Sequence, residues 1–264
     1  MIAKTPFWRV VPSGREGEFI LPVTMPATVG PEGAPHVMGG VALAAAIDAL
    51  QLASGQDILW ASIQFLAPTQ HAEELVILCE QCGGGRSIGQ WQAEILADGR
   101  TVQRVAAALG ARQPSEPKTF ALMPGVPSPG DLAPEPFDPD RRDDNLLGQF
   151  ERRIALEDND RGVEAVWTRS SGGFANDAGW IAILSDFFLG AHPQTRTGSS
   201  LDATLRFFRP APEGWVLSVT ELAAFERGTV SGHARHFAED GSLIAISSQT
   251  GVLPRIPPPV PGFD

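Results

Sequence analysis

Asp186, Ser200 and Gln249 combine a carboxylate, a hydroxyl and an amide, the groups needed to hold and deprotonate a water molecule. Asp186 lies in "IAILSDFFLG" (181–190), where every other residue is apolar or small. An ionised carboxylate in such a run is costly unless it is paired or used. The chain supplies its own control. "ASIQFLAP" (61–68) matches "ATLRFFRP" (203–210), and the turn "ADG" (97–99) matches "EDG" (239–241), both 142 residues on (203 − 61 and 239 − 97). At that separation Asp186 corresponds to Ala44, Ser200 to Ile58 and Gln249 to Ala107. The first half is apolar at all three positions and the second half is polar at all three. A constellation of this kind is rarer than any of its members, since a lone strand Ser or a lone Gln is ordinarily solvated.

The complementary feature is in the first half. "PHVMGGVAL" (35–43) puts Gly39 and Gly40 at the start of an apolar helix. A helix start presents unpaired N–H groups and the positive end of the dipole, and glycine allows close approach. A carbonyl oxygen gaining negative charge is stabilised in such a place. His36 and Met38 flank this glycine pair and are candidates to touch a substrate. Two rival carboxylates have plainer readings: Asp48, near the end of its helix, reaches solvent, and Asp202, at a strand start, makes a structural hydrogen bond. Ser200 is not expected to be a covalent nucleophile, because the chain has no G-x-S-x-G elbow and no His spaced to serve as its base.

Other motifs carry less. Cys79 and Cys82 form C-x-x-C, but the only candidate second pair for zinc is His233 with His236, and the cysteines follow a strand rather than open a helix. Neither a metal nor a redox cofactor is expected. "CGGGRS" (82–87) lacks the G-K-[ST] of a phosphate loop and reads as a strand-connecting turn or bulge. Arg86, Arg206, Arg209 and Arg227 sit on or beside long strands, where they could meet phosphates or simply pair with Glu.

The elements that must position these residues fall into two similar halves. Residues 111–145 hold eight of the 23 prolines and end in dense charge, so 113–145 is expected to be a linker. It separates 1–112 from 146–264. Each half opens with short strand-like runs, "FWRVVP" and "GEFILPV" in one, "GQFERRIAL" and "GVEAVWTR" in the other. Each continues into one apolar helix, over 40–52 and 178–190, and then a series of strands. A helix apolar on nearly all sides is buried. One buried helix followed by long antiparallel strands implies a sheet wrapped around a helix, which is the hotdog architecture. The expected fold is α+β, a double hotdog whose two antiparallel sheets join into one.

"LSDFFLG" (184–190), "GSSLDATLRFFRP" (198–210) and "LIAISSQTGVLP" (243–254) resemble the second half of the bacterial acyl-CoA thioesterase II family, whose members are double hotdogs. "HVMGG" (36–40), "ASIQFLAP" and "GRSIGQWQAEILADGRTV" (85–102) resemble its first half. The resemblance implies that Asp186 and Gln249, with Ser200 where the family has Thr, orient the hydrolytic water. Asp202 matches an acidic residue of the family two positions after that Thr. The first strands and the proline-rich linker depart from the family, so substrate preference is not carried over.

The expected activity is therefore hydrolysis of acyl-CoA by Asp-activated water. The acyl chain would lie in an apolar tunnel between the halves lined by Met38, Phe65, Phe187 and Phe188 or their neighbours. Two rivals remain: an acyl-CoA-binding hotdog protein with little turnover, and a hotdog dehydratase or hydratase, which wants a His beside the helix. The net charge of −11 argues against nucleic acid, whose binding rests on Lys and Arg. No apolar run is long enough to span a membrane. With two cysteines and no recognisable secretory signal, a cytoplasmic protein is expected, associating with copies of itself.

Overall fold

The computed structural model describes residues 5–69, 73–112, 116–135 and 141–253. Parts of the expected linker (113–115, 136–140) and of the two flanking halves (1–4, 70–72, 254–264) lie outside the described residues. The first half contains β1 (Val11–Pro12), β2 (Glu18–Pro22), β3 (Thr28–Val29), β4 (His36–Val37), α1 (Gly39–Ser54), β5 (Ile58–Phe65), β6 (Glu74–Gly84), β7 (Ile88–Ala97) and β8 (Arg100–Gly110). The second contains β9 (Phe150–Asp158), β10 (Val163–Ser170), α2 (Ala178–Ser185), β11 (Ser199–Phe207), β12 (Val216–Glu226), β13 (Thr229–Ala238) and β14 (Leu243–Val252).

Twelve strands form one antiparallel sheet in the order β1-β2-β6-β7-β8-β5-β11-β14-β13-β12-β10-β9. Read from either edge, the order names equivalent strands, so the halves are related by a pseudo-twofold axis between β5 and β11. The register locates it: Ser62, which the 142-residue separation equates with Thr204, pairs with Thr204 itself. Their hydroxyls hydrogen-bond at 2.8 Å. Ala61 and Ile63 pair with Leu205 and Ala203 symmetrically around them. This is the expected double hotdog, one continuous sheet with α1 and α2 packed together in its hollow.

Local chemistry explains the elements. α1 is buried from Gly40 to Leu50, as a helix of Ala, Leu, Val and Ile should be when surrounded by sheet and helix. The β7–β8 turn has Asp98 at φ 49° and Gly99 at φ 74°, the two left-handed residues that a tight hairpin demands. Its counterpart after β13 is a longer loop, with only Gly241 left-handed. The "CGGG" segment ends β6 in a bulge between Gln81 and Gly83. Residues 121–132 run over the outer face of the second half, where Ala121, Met123, Val126 and Leu132 cover Trp167, Trp215 and Phe237. Trp167 Nε1 donates to the carbonyl of Pro127 at 3.0 Å.

Three expectations need correction. The run "FWRVVP" is a strand only at Val11–Pro12; Phe7 and Trp8 form a turn, and Trp8 is buried against Trp180 and Phe174. The helix expected over 178–190 is α-helical only to Ser185; Asp186–Ala191 tightens into a 3-10 turn, in which the Asp186 N–H reaches both the Ile183 and Leu184 carbonyls. Asp48 does not reach solvent. The N-terminal segment crosses the end of α1, so Asp48 is buried, ion-paired with Arg9, and accepts the Val10 N–H at 2.9 Å.

Candidate functional site

Two adjacent strands and the end of a helix bring the three polar residues together. Gln249 on β14 is inward-facing and buried, paired across the ladder with Ala203 of β11. Its Nε2 donates to Ser200 Oγ at 2.7 Å and to Asp186 Oδ1 at 3.2 Å. One amide therefore ties the hydroxyl to the carboxylate. Gln249 Oε1 is buried without a hydrogen-bond partner. Ser200 accepts from Gln249, which frees its own proton to be donated.

Ser200 reaches this position through a backbone irregularity that the sequence did not disclose. Ala203 and Leu205 point inward, so strict alternation would put Ser200 on the opposite face. A bulge between Ser200 and Asp202 inserts Leu201 as an unpaired residue and restores Ser200 to the inner face. The first half has the same irregularity between Ile58 and Trp60, and Ile58 is likewise buried. Hydrophobic patterning shows such a slip only as an exposed Leu201 out of phase with its neighbours. Asp202 takes its place in the ladder opposite Thr250 and Gln64.

The other oxygen of Asp186 faces the start of α1. Oδ2 accepts the Gly40 N–H at 2.7 Å. Both glycines are dictated by close approach. A Cβ on Gly39 would lie 2.6 Å from Phe65 Cε1 and 3.0 Å from Asp186 Oδ2. On Gly40 it would lie 2.8 Å from Asp186 Cβ and 2.9 Å from the Ala182 carbonyl oxygen. Gly40 is thus committed to the carboxylate, and Gly39, as the first residue of the helix, carries the N–H at the cavity wall. Burial pushes the Asp186 carboxyl up from 3.8 to about 6, against the opposing hydrogen bonds from Gly40 and Gln249. The group is ionised at neutral pH yet basic enough to accept a proton there.

A cavity of about 440 Å³ opens onto this cluster. His36, Met38, Gly39, Asp186 and Ser200 all border it, together with Phe65 and Leu66. Phe187 and Phe188 do not line it, contrary to the expectation for a tunnel. Phe187 turns to Phe150 and Arg152, and Phe188 packs with Leu189 and Val230. Val29, Val37 and Ala67 take their place in the lining. None of Arg86, Arg206, Arg209 and Arg227 borders this cavity.

The remaining motifs lie elsewhere. Burial raises the Cys79 thiol to about 12, and Cys82 is exposed. His233 faces Glu221, while His236 is buried between Ser218 Oγ (2.9 Å) and Ser247 Oγ (3.0 Å) and held near 4 by that burial. Among the described residues no cluster of three His, Cys, Asp or Glu could hold a metal ion, and no helix is long and apolar enough to cross a membrane.

Two family models match the chain: the acyl-CoA thioesterase N-terminal domain over residues 26–113 and the acyl-CoA thioesterase C-terminal domain over 129–253. No curated protein sequence matches it significantly. Among solved structures it is similar to a candidate thioesterase from Novosphingobium aromaticivorans, with 27% identity and a TM-score of 0.87 over 93% of this chain and 98% of that one. It also resembles a hotdog-fold protein from Alicyclobacillus acidocaldarius (20% identity, TM-score 0.80, 95% and 97% covered). An acyl-CoA thioesterase II from Mycobacterium marinum is similar at 17% identity and a TM-score of 0.75, with 94% and 96% covered. At these last two identities the likeness speaks for the fold alone.

Proposed function

Because the chain belongs to the acyl-CoA thioesterase family in both its halves, we propose that it hydrolyses acyl-CoA, with Asp186 as the general base. The observation that carries this reading is the Gln249 amide bridging Asp186 and Ser200 at the wall of a cavity that also meets the start of α1. A water positioned by the Ser200 hydroxyl, which the Gln249 amide holds in place, attacks the thioester carbonyl carbon. Its proton passes to Asp186, and the carbonyl oxygen, now negative, is stabilised at the Gly39 N–H. The tetrahedral adduct collapses with cleavage of the C–S bond. The departing thiolate takes the proton from Asp186, giving free acid and CoA.

The acyl chain enters among Met38, Phe65, Leu66 and Val29, and His36 stands where the CoA arm passes. No residue in this scheme calls for a metal or redox cofactor. The same reading divides the chain into hotdogs at 1–112 and 146–264 around a linker at 113–145, although the matched C-terminal domain begins at 129, inside that linker. The test is thiol release from acyl-CoA esters of graded length. Turnover with at least one ester is the expected result, and tight binding of every ester without release of thiol would replace hydrolysis by binding.

A further inference from the structure

A second cavity, of about 380 Å³, lies where the pseudo-twofold axis repeats the first. The correspondence holds residue by residue at a separation of 142. Phe65, Leu66, Ala67 and Pro68 of the Asp186 cavity become Phe207, Phe208, Arg209 and Pro210 of the second. Ser199 and Ser200 become Asp57 and Ile58, and Asp186 becomes Ala44. His36 and Val37, just before α1, become Ala178 and Gly179, which already open α2. The volume lies in the range of small-molecule sites, and the wall is mainly apolar and aromatic.

The chemistry has been removed while the space remains. No base, hydroxyl or amide stands at Ala44, Ile58 and Ala107. The helix start is also closed to a carbonyl. Asp177 caps α2 by accepting the Trp180 N–H at 2.9 Å, and Trp8 lies directly against Gly179. Asp48 cannot substitute for Asp186, because Arg9 and the Val10 N–H hold it. Arg9 also approaches Asp177 at 3.7 Å, so two of the three wall carboxylates, Asp48 and Asp177, share one guanidinium, while the third, Asp57, is exposed. Arg209 stands exposed at the rim in place of Ala67, where a negatively charged head would be met.

We propose that this second cavity binds, without hydrolysing it, an acyl chain carrying an anionic head. The chemistry is shared by two sources, the acid product and an intact acyl-CoA. The inference rests on reading the Asp186 cavity as the acyl-thioester site, of which this is the inert copy. Because Ala44 and Ile47 belong to α1, the occupant would touch the same helix whose other end meets the thioester.

The test is equilibrium dialysis with a non-hydrolysable thioether analogue of a long-chain acyl-CoA and, in a parallel arm, the free fatty acid of the same length. Two variants block one mouth each at an exposed residue: Ala111→Trp at the second cavity and Ser199→Trp at the Asp186 cavity. The expected result is two equivalents per chain in the wild type and one in either variant. Whether the equivalent that survives in Ser199→Trp is filled by the acid or only by the thioether identifies its source. One wild-type equivalent, lost in Ser199→Trp and untouched in Ala111→Trp, overturns the second site and leaves the proposed function standing. One equivalent with the reverse pattern supports the second site and removes the acyl site at Asp186. Binding of neither probe overturns both.

Discussion

Asp186→Asn should abolish hydrolysis and stabilise the fold, and the size of each effect follows from the site. Burial raises the carboxyl from 3.8 to about 6, so the protonated form is the one the folded protein favours. The contribution to stability is therefore fully present below pH 3.8 and is lost as pH rises through 6. At 1.36 kcal/mol per decade, that difference sets an upper bound of about 3 kcal/mol on the cost of the ionised group at neutral pH. Partial solvent access lowers it. Asparagine does not ionise, and its Oδ1 can still accept the Gly40 N–H. Its amide would face the Gln249 amide, donor against donor. Turning the Gln249 side chain relieves this, because Oε1 is without a partner and can then accept. A net gain of about 1–2 kcal/mol at pH 7.5 is expected, vanishing near pH 4. His236 contributes equally to the curves of both proteins. Its value is lowered to about 4, so its contribution is present above 6.5 and lost as pH falls through 4, opposite in sense to Asp186. The difference between mutant and wild type cancels His236 and isolates Asp186. Urea denaturation of both proteins at the two pH values measures it, alongside thiol release. Loss of a general base costs about 10²- to 10⁴-fold in turnover. In the wild type the pH–rate profile should rise to half its plateau near pH 6. Wild-type turnover in the mutant, or a stability gap equal at both pH values, would refute the reasoning.

Ser200→Ala removes one acceptor of the Gln249 amide and should lower kcat by about tenfold or more, whereas Ser200→Thr, which keeps the hydroxyl, should stay near wild type; steady-state kinetics on one ester separates them. Gly39→Ala places a methyl against Phe65 and Asp186 and should cost about 1–3 kcal/mol of stability with a larger loss of kcat. Recovery of activity on adding Phe65→Leu would show that the ring is the obstacle, and no recovery would shift the blame to Asp186. Arg9→Ala strands Asp48, and because Arg9 is 44% exposed the loss should be a reduced one, about 1–2 kcal/mol by urea denaturation. Asp48→Asn in the same background should recover most of it.

The global plan could be read from the chain because it is written twice. A separation that recurs at a strand and at a turn also predicts which strands are equivalent, and the palindromic sheet order follows once the two copies meet edge to edge. The polar triad could be read for the same reason: Ala44, Ile58 and Ala107 show what packing asks of those positions, so Asp186, Ser200 and Gln249 stand out against them. What could not be read depends on contacts distant in sequence. Asp48 looked solvated because nothing in α1 reveals that Arg9 and Val10 arrive from 38 or more residues away. Phe187 and Phe188 looked like tunnel residues because they follow Asp186 directly in sequence, but neighbours along a helical segment do not share a face, and their partners Phe150, Arg152 and Val230 come from other elements.

The bulges decide how the asymmetry between the halves should be understood. A bulge at Leu201 alone would look like a device made for Ser200. The matching irregularity between Ile58 and Trp60 shows that both copies turn this position inward, whichever side chain stands there. The slot therefore belongs to the fold, and the chemistry lies in what fills it. The copies differ at their helix starts as well. α1 opens on Gly39 behind Met38, which offers no side-chain cap, so its N–H groups are available to Asp186 and to the cavity. α2 opens behind Asp177, whose carboxylate already occupies that role, with Trp8 packed against Gly179. Placing Asp, Ser and Gln at positions 44, 58 and 107 would thus supply a base but no free donor for the carbonyl oxygen. Under the two proposals, the N-terminal segment and the Asp177 cap are what separate a cavity that would hold an acyl chain from one that would also cleave its thioester.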